Sequence, residues 1–71
     1  MPKRYTSTEL IKMVEKDGWR LVQTKGSHRQ YKHPTKKGRV TIVHPKKDVE
    51  IRTVYGIFRQ AGIQKGDKND S

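Results

Sequence analysis

Apolar residues recur in two rhythms along this chain, one helical and one alternating. Between Thr6 and Gly18, Leu10, Ile11 and Val14 fall at helical spacing with Met13 beside them, the pattern of one buried face of a 3.6-residue repeat. Thr6-Ser7-Thr8-Glu9 precedes them. A Thr with Glu three residues on can satisfy two backbone donors reciprocally, which predicts a capped start at Thr6. Gly18, next to Asp17, predicts the stop. So short a helix is stable only when packed. Towards the other end, Val54, Ile57, Phe58 and Ala61 stand at i, i+3, i+4 and i+7. That stripe predicts a helix from Ile51 or Arg52 to Ala61, ended by Gly62.

The middle of the chain follows the strand rhythm. Trp19 to Lys25 predicts a first strand with Trp19, Leu21 and Val22 as its apolar residues, although their alternation is too irregular to name an inward face. Gly26-Ser27 predicts a tight turn, and His28 to His33 a second strand. Pro34 to Gly38 reads as a loop. Arg39-Val40-Thr41-Ile42-Val43-His44 has the strongest β-propensity in the chain, and Pro45-Lys46-Lys47-Asp48 breaks it. The order is α-β-β-β-α, an α+β fold in which a three-stranded antiparallel meander carries both helices on one face. One domain is expected over 1–71, ordered from about 6 to 63, with a polar tail over 64–71.

The sheet's other face is left to solvent. Side chains alternate along a strand. With Tyr31 inward, His28, Gln30 and Lys32 point to the open face. With Val40 and Ile42 inward, Arg39, Thr41 and Val43 point outward. A slip of one residue would invert this assignment.

Charge then indicates what the open face meets. Seventeen Lys+Arg against seven Asp+Glu leave a formal +10 on 71 residues, a field suited to a polyanion. Neither helix has the basic, bulky-apolar pattern of a membrane-surface helix, and no long apolar run is present. Nucleic acid is therefore the leading partner class, with an acidic protein partner compatible alongside it. The hydrophobic share is 30%, which allows one modest core and no deep substrate cavity. There is no Cys, which removes disulfides and thiolate metal sites and fits a reducing, cytoplasmic setting. The N-terminus is basic without an apolar segment behind it, so it does not read as a secretory signal.

Within this frame, Lys25-Gly26-Ser27-His28-Arg29-Gln30-Tyr31-Lys32-His33-Pro34 is the candidate for chemistry. An imidazole can exchange protons near neutrality, as attack by an RNA 2′-hydroxyl requires. Gly26 and Ser27 allow backbone amides to approach a phosphate. The same run also suits a plain RNA-binding loop. Lys25, Arg29, Lys32, Lys36, Lys37, Arg39, Lys46 and Lys47 are the candidate phosphate holders, supplying position and affinity, not sequence choice. Lys3, Arg4, Arg52 and Arg59 would extend that footprint or meet an acidic partner. His44 can line a phosphate path, while His33 reads as structural or solvated. Three dispersed His without Cys do not make a metal site, and no cofactor is expected. Trp19 and Tyr31 read as core, Tyr5 and Tyr55 as less constrained. Asp48 or Glu50 would complement the second helix's dipole.

Glu9-Leu10-Ile11 with Asp17-Gly18-Trp19, Gly26-Ser27-His28, Val40 to Pro45 and Thr53 to Ile63 together resemble the HicA-type toxins of HicA–HicB toxin–antitoxin systems. The likeness covers nearly all the chain except its termini. It implies a fold like the double-stranded RNA-binding domain. It also implies an mRNA interferase, an endoribonuclease that halts translation, whose essential histidine matches His28. A HicB-like antitoxin would cover the site. One departure is Arg52-Thr53-Val54, where many members have Gly in place of Arg52. Two rival readings stand beside it: a non-catalytic RNA-binding module of the same fold, and an interaction protein whose basic face serves only an acidic partner.

Overall fold

A computed structural model describes residues 4–63. Lys3 and the expected polar tail 64–71 lie outside the described residues. Five elements follow in the expected order: α1 (Ser7–Lys16), β1 (Arg20–Lys25), β2 (His28–Lys32), β3 (Val40–Val43) and α2 (Ile51–Ala61). Strand ends are trimmed relative to the sequence reading. Trp19, His33, Arg39 and His44 flank the strands instead of belonging to them.

Local chemistry accounts for the helix limits. Thr6 caps α1 as a full capping box: Glu9 N donates to Thr6 Oγ1 at 3.1 Å and Thr6 N donates to Glu9 Oε1 at 3.0 Å. Asp17 is the C-cap of α1, and Gly62 ends α2. Glu50 is the N-cap of α2 without a side-chain hydrogen bond, and Asp48 pairs instead with Arg4 across the surface at 2.9 Å. The dipole role expected of these two acids is therefore not made through a cap.

The sheet is antiparallel in the order β1-β2-β3. Val40 and Ile42 are buried while Thr41 and Val43 are exposed, which gives β3 the alternation of a half-buried strand. Both helices pack against β3. Leu10 and Val14 from α1, and Val54, Ile57, Phe58 and Ala61 from α2, close over Val40, Ile42, Tyr31 and Trp19. Tyr5 joins this core, with its ring edge-on to Phe58 at 5.7 Å between centroids. Its main chain bridges to Val49, so Tyr5 is more constrained than its sequence context indicates.

The face of β1, which its alternation left open, is decided by the fold. All six of its residues are exposed, and Leu21 and Val22 keep 45% and 51% of their surface in solvent. A register shift between Leu21 and Gln23 interrupts its pairing with β2. The helices sit over the opposite edge of the sheet, so no apolar layer reaches β1. Its irregular alternation records a strand with no buried face.

Behind the core, a polar knot ties three segments together. Lys36 Nζ donates to the side chain of the α1 C-cap, Asp17 Oδ2, at 2.6 Å and to the α2 carbonyl Ala61 O at 2.9 Å, tying the two helix ends together. Trp19 Nε1 donates to the same two acceptors at 3.2 Å. His33 Nδ1 accepts from the backbone amides of Thr35 and Lys36, so its Nε2–H is the donor to Asp17 O at 2.8 Å. Gly18 has φ +108° and its missing Cβ would lie 2.8 Å from His33 Nε2, so backbone sign and space both call for glycine. His33 is thus structural, as its sequence context suggests.

Candidate nucleic-acid interface

His28 opens β2, on the sheet face that no helix covers. Its ladder partners are Lys25 on β1 and Val43 on β3. The Gly26-Ser27 turn immediately before it holds Gly26 at φ +60°, the sign needed at the first central position of a type II′ hairpin turn. A Cβ at Gly26 would meet nothing within 4 Å. Backbone sign therefore requires glycine there, and the space above the turn is open for a ligand to approach the main chain.

Residues directly opposite in a ladder share a face, so the open side forms three cross-strand rows. The first holds Lys25, His28 and Val43. The second holds Gln23, Gln30 and Thr41. The third holds Arg20 and Lys32, with Arg39 one step beyond the Tyr31–Val40 pair. Arg39 Nη1 reaches back to Gln30 Oε1 at 2.7 Å, which confirms its outward direction. Lys32 lies four residues beyond His28 along β2, about 13 Å at strand rise. A neutral polar strip thus separates a histidine end from a guanidinium- and ammonium-rich end. Arg20 was absent from the sequence-derived set, because the irregularity at Val22 hides its face.

The chain returns to the histidine end after β3. His44 N donates to Ser27 O at 2.8 Å, which brings the segment with exposed Lys46 and Lys47 beside the Gly26-Ser27 turn. His44 is half-buried, and its Nδ1 meets the hydroxyl of Ser7, a residue only 1% exposed, at 2.7 Å.

Lys25 therefore stands with Gly26, Ser27 and His28, the segment that carries Lys46 and Lys47 runs from the same sheet end to Ser7, and Lys32, Lys37 and Arg39 stand towards the far end. Two expected phosphate holders are placed elsewhere. Arg29 pairs with Ile42 on the helix side and is half-buried. Its guanidinium interacts with the Tyr31 hydroxyl and partly offsets the burial that pushes that phenol above its usual range. Lys36 is engaged in the polar knot. Its ammonium, hydrogen-bonded to Asp17, is the main cause of a carboxyl held below its ordinary value of 3.8.

Shallow depressions are lined by Met13, Lys16, Asp17 and Ile63, and by Glu15, Gly18, Trp19, Arg20 and Leu21; neither includes His28. Among the described residues, no three His, Cys, Asp or Glu side chains gather as a metal-binding group. No helix among them is long and apolar enough to cross a membrane.

A structure described as a toxin–antitoxin complex from Streptococcus pneumoniae contains a chain of similar fold. The two align with a TM-score of 0.67 and 29% identity, over 82% of this chain and 97% of that one. No curated protein sequence matches. A sequence model described as the HicA toxin of bacterial toxin–antitoxin systems matches residues 7–63. That match spans both helices and the whole sheet, and the chain belongs to the HicA toxin family.

Proposed function

We propose that this protein is an endoribonuclease that cuts single-stranded mRNA and so inhibits translation, with His28 as its proton-transfer group. The observation that carries the reading is the position of His28: exposed on the helix-free face, beside an open glycine turn and Lys25, in a chain of a toxin family. In the proposed reaction the 2′-oxygen loses its proton and bonds to the adjacent phosphorus. The bond to the 5′-oxygen breaks, and that oxygen takes up a proton. The products are a 2′,3′-cyclic phosphate and a 5′-hydroxyl. His28 serves as base or acid in this exchange, a contribution of roughly 10²–10⁴-fold. Lys25, the ladder partner of His28, holds the phosphate and offsets charge that builds on its oxygens.

A toxin on this scheme needs a partner that silences it. The similar chain from Streptococcus pneumoniae comes from a toxin–antitoxin complex, which supports an antitoxin of HicB type for this chain. The flat open face offers such a partner a broad surface that contains the site.

The test is cleavage of labelled RNA by purified protein in EDTA, with His28→Ala alongside. Cleavage by the wild type, with a cyclic phosphate end, and its loss in the variant with RNA affinity retained are expected. Binding without cleavage by antitoxin-free wild type would leave a non-catalytic RNA-binding module. Equal cleavage by His28→Ala would remove His28 from the mechanism.

A further inference from the structure

We propose that His44, positioned by Ser7, binds an RNA backbone phosphate that flanks the scissile one, as a neutral hydrogen-bond donor. This deepens the nuclease reading and rests on its RNA-binding half. Ser7 is the one buried polar residue among those described, and its hydroxyl is fully accounted for. The backbone N–H of Lys46 donates to Ser7 Oγ at 2.8 Å. The single hydroxyl proton is left for His44 Nδ1, at 2.7 Å, since no other acceptor contacts Oγ among the described residues. A histidine whose Nδ1 accepts carries its proton on Nε2. That nitrogen points away from Ser7 on a half-exposed ring and has no partner among the described residues.

Fixing this tautomer is a structural investment. Ser7 N donates to Lys46 O at 2.8 Å while Ser7 Oγ accepts from Lys46 N, so the start of α1 clamps the loop after β3 from both sides of one residue. His44 is further held by its own N–H on Ser27 O. An Nε2–H donor beside exposed Lys46 and Lys47 matches a phosphate oxygen, which only accepts. Strand alternation sends His44 to the side opposite His28 at the same sheet end, because Val43, not His44, is the residue paired with His28. One phosphate does not serve both rings, so His44 takes a neighbouring phosphate as the strand passes around the sheet end. His44 and Ser7 are on this view positioning residues for RNA, and His28 keeps the chemistry.

The probe is a 2′-O-methyl RNA oligonucleotide, which cannot be cleaved by 2′-oxygen attack, so its binding does not depend on the nuclease activity. His44→Ala is expected to weaken its affinity about tenfold, the loss of one hydrogen bond to a charged group. A neutral donor releases no counterion, so the slope of log affinity against log salt stays unchanged. Lys47→Ala, in contrast, lowers that slope by about 0.7. His44→Gln, whose amide N–H reaches the place of Nε2, restores binding. In cleavage assays His44→Ala raises KM for long RNA and leaves kcat intact, and it has no effect on a dinucleoside monophosphate, which lacks the flanking phosphate. Unchanged binding by His44→Ala, a reduced salt slope in that variant, or an equal loss on the dinucleotide would each overturn the proposal. Should wild-type protein bind the oligonucleotide with this His44 dependence yet cut no RNA, the nuclease reading fails and the phosphate subsite stands.

Discussion

Replacing Lys36 with Ala separates two roles that its sequence context leaves merged. As a phosphate holder it would act on RNA affinity. In the structure it joins Asp17, Ala61 O and Gly62 O, so it should act on stability. The ion pair with Asp17 is short at 2.6 Å but about one-third exposed on both sides, which limits it to about 0.2–1 kcal/mol. The cation at the C-terminus of α2 adds about 0.3–1 kcal/mol. Ala61 O keeps Trp19 Nε1 as a donor, so no buried acceptor is orphaned and no further penalty applies. The expected loss is about 1 kcal/mol, or a fall in Tm of roughly 4–8 °C for a domain of this size. The pH dependence adds a sign. Lys36 holds the Asp17 carboxyl below its ordinary 3.8, so their mutual stabilisation is complete above about pH 4 and fades as acid titrates Asp17. The difference in denaturation midpoint between wild type and Lys36→Ala should therefore be full at neutral pH and shrink below pH 4, leaving the helix-end part. RNA affinity and its salt slope should not change. A variant with wild-type Tm and weakened, less salt-sensitive RNA binding would refute this reasoning and return Lys36 to the phosphate path.

Other perturbations probe the remaining parts. Ile42→Ala, at 1% exposure, should cost about 2–5 kcal/mol in urea denaturation, whereas Leu21→Ala, on the uncovered strand, should stay within about 0.5 kcal/mol; similar losses would contradict the placement of the core. Gly18→Ala should lower the urea midpoint by an amount equivalent to about 2 kcal/mol, since it combines an unfavourable φ with a close approach to the His33 ring; an unchanged midpoint would show that the His33–Asp17 contact is not needed. Burial raises the Tyr31 phenol, so the stability it brings is present below its ordinary value of 10.0 and is lost as pH rises past it. Tyr31→Phe should flatten that part of the alkaline decline, and equal declines for both proteins would refute it.

Helices were legible because their signals are local. The Thr6–Glu9 box and the Val54–Ile57–Phe58–Ala61 stripe lie within a few residues of one another, and each formed as expected. The face of His28 was also legible, through Tyr31, Val40 and Ile42, whose burial sets the register. β1 was not legible, because whether Leu21 and Val22 are covered depends on how far the helices reach across the sheet. The candidate site shows the same divide. Gly26, Ser27 and His28 are neighbours in sequence, but eight candidate cations looked equivalent until folding distributed them.

What the sequence determined by itself is the element order, the basic field and an outward His28, since each follows from spacing, composition or alternation over short stretches. Tertiary structure decided where each charge stands relative to the candidate site. It turned Arg29 inward to Tyr31, drew Lys36 into the joint between helix ends, added Arg20 to the open face, and brought Ser7 onto His44. Those partners lie from two to 37 residues apart in the chain, mostly across different elements. Charge alone assigns a lysine or arginine no direction, so its role is settled only by the acceptors that folding places within reach.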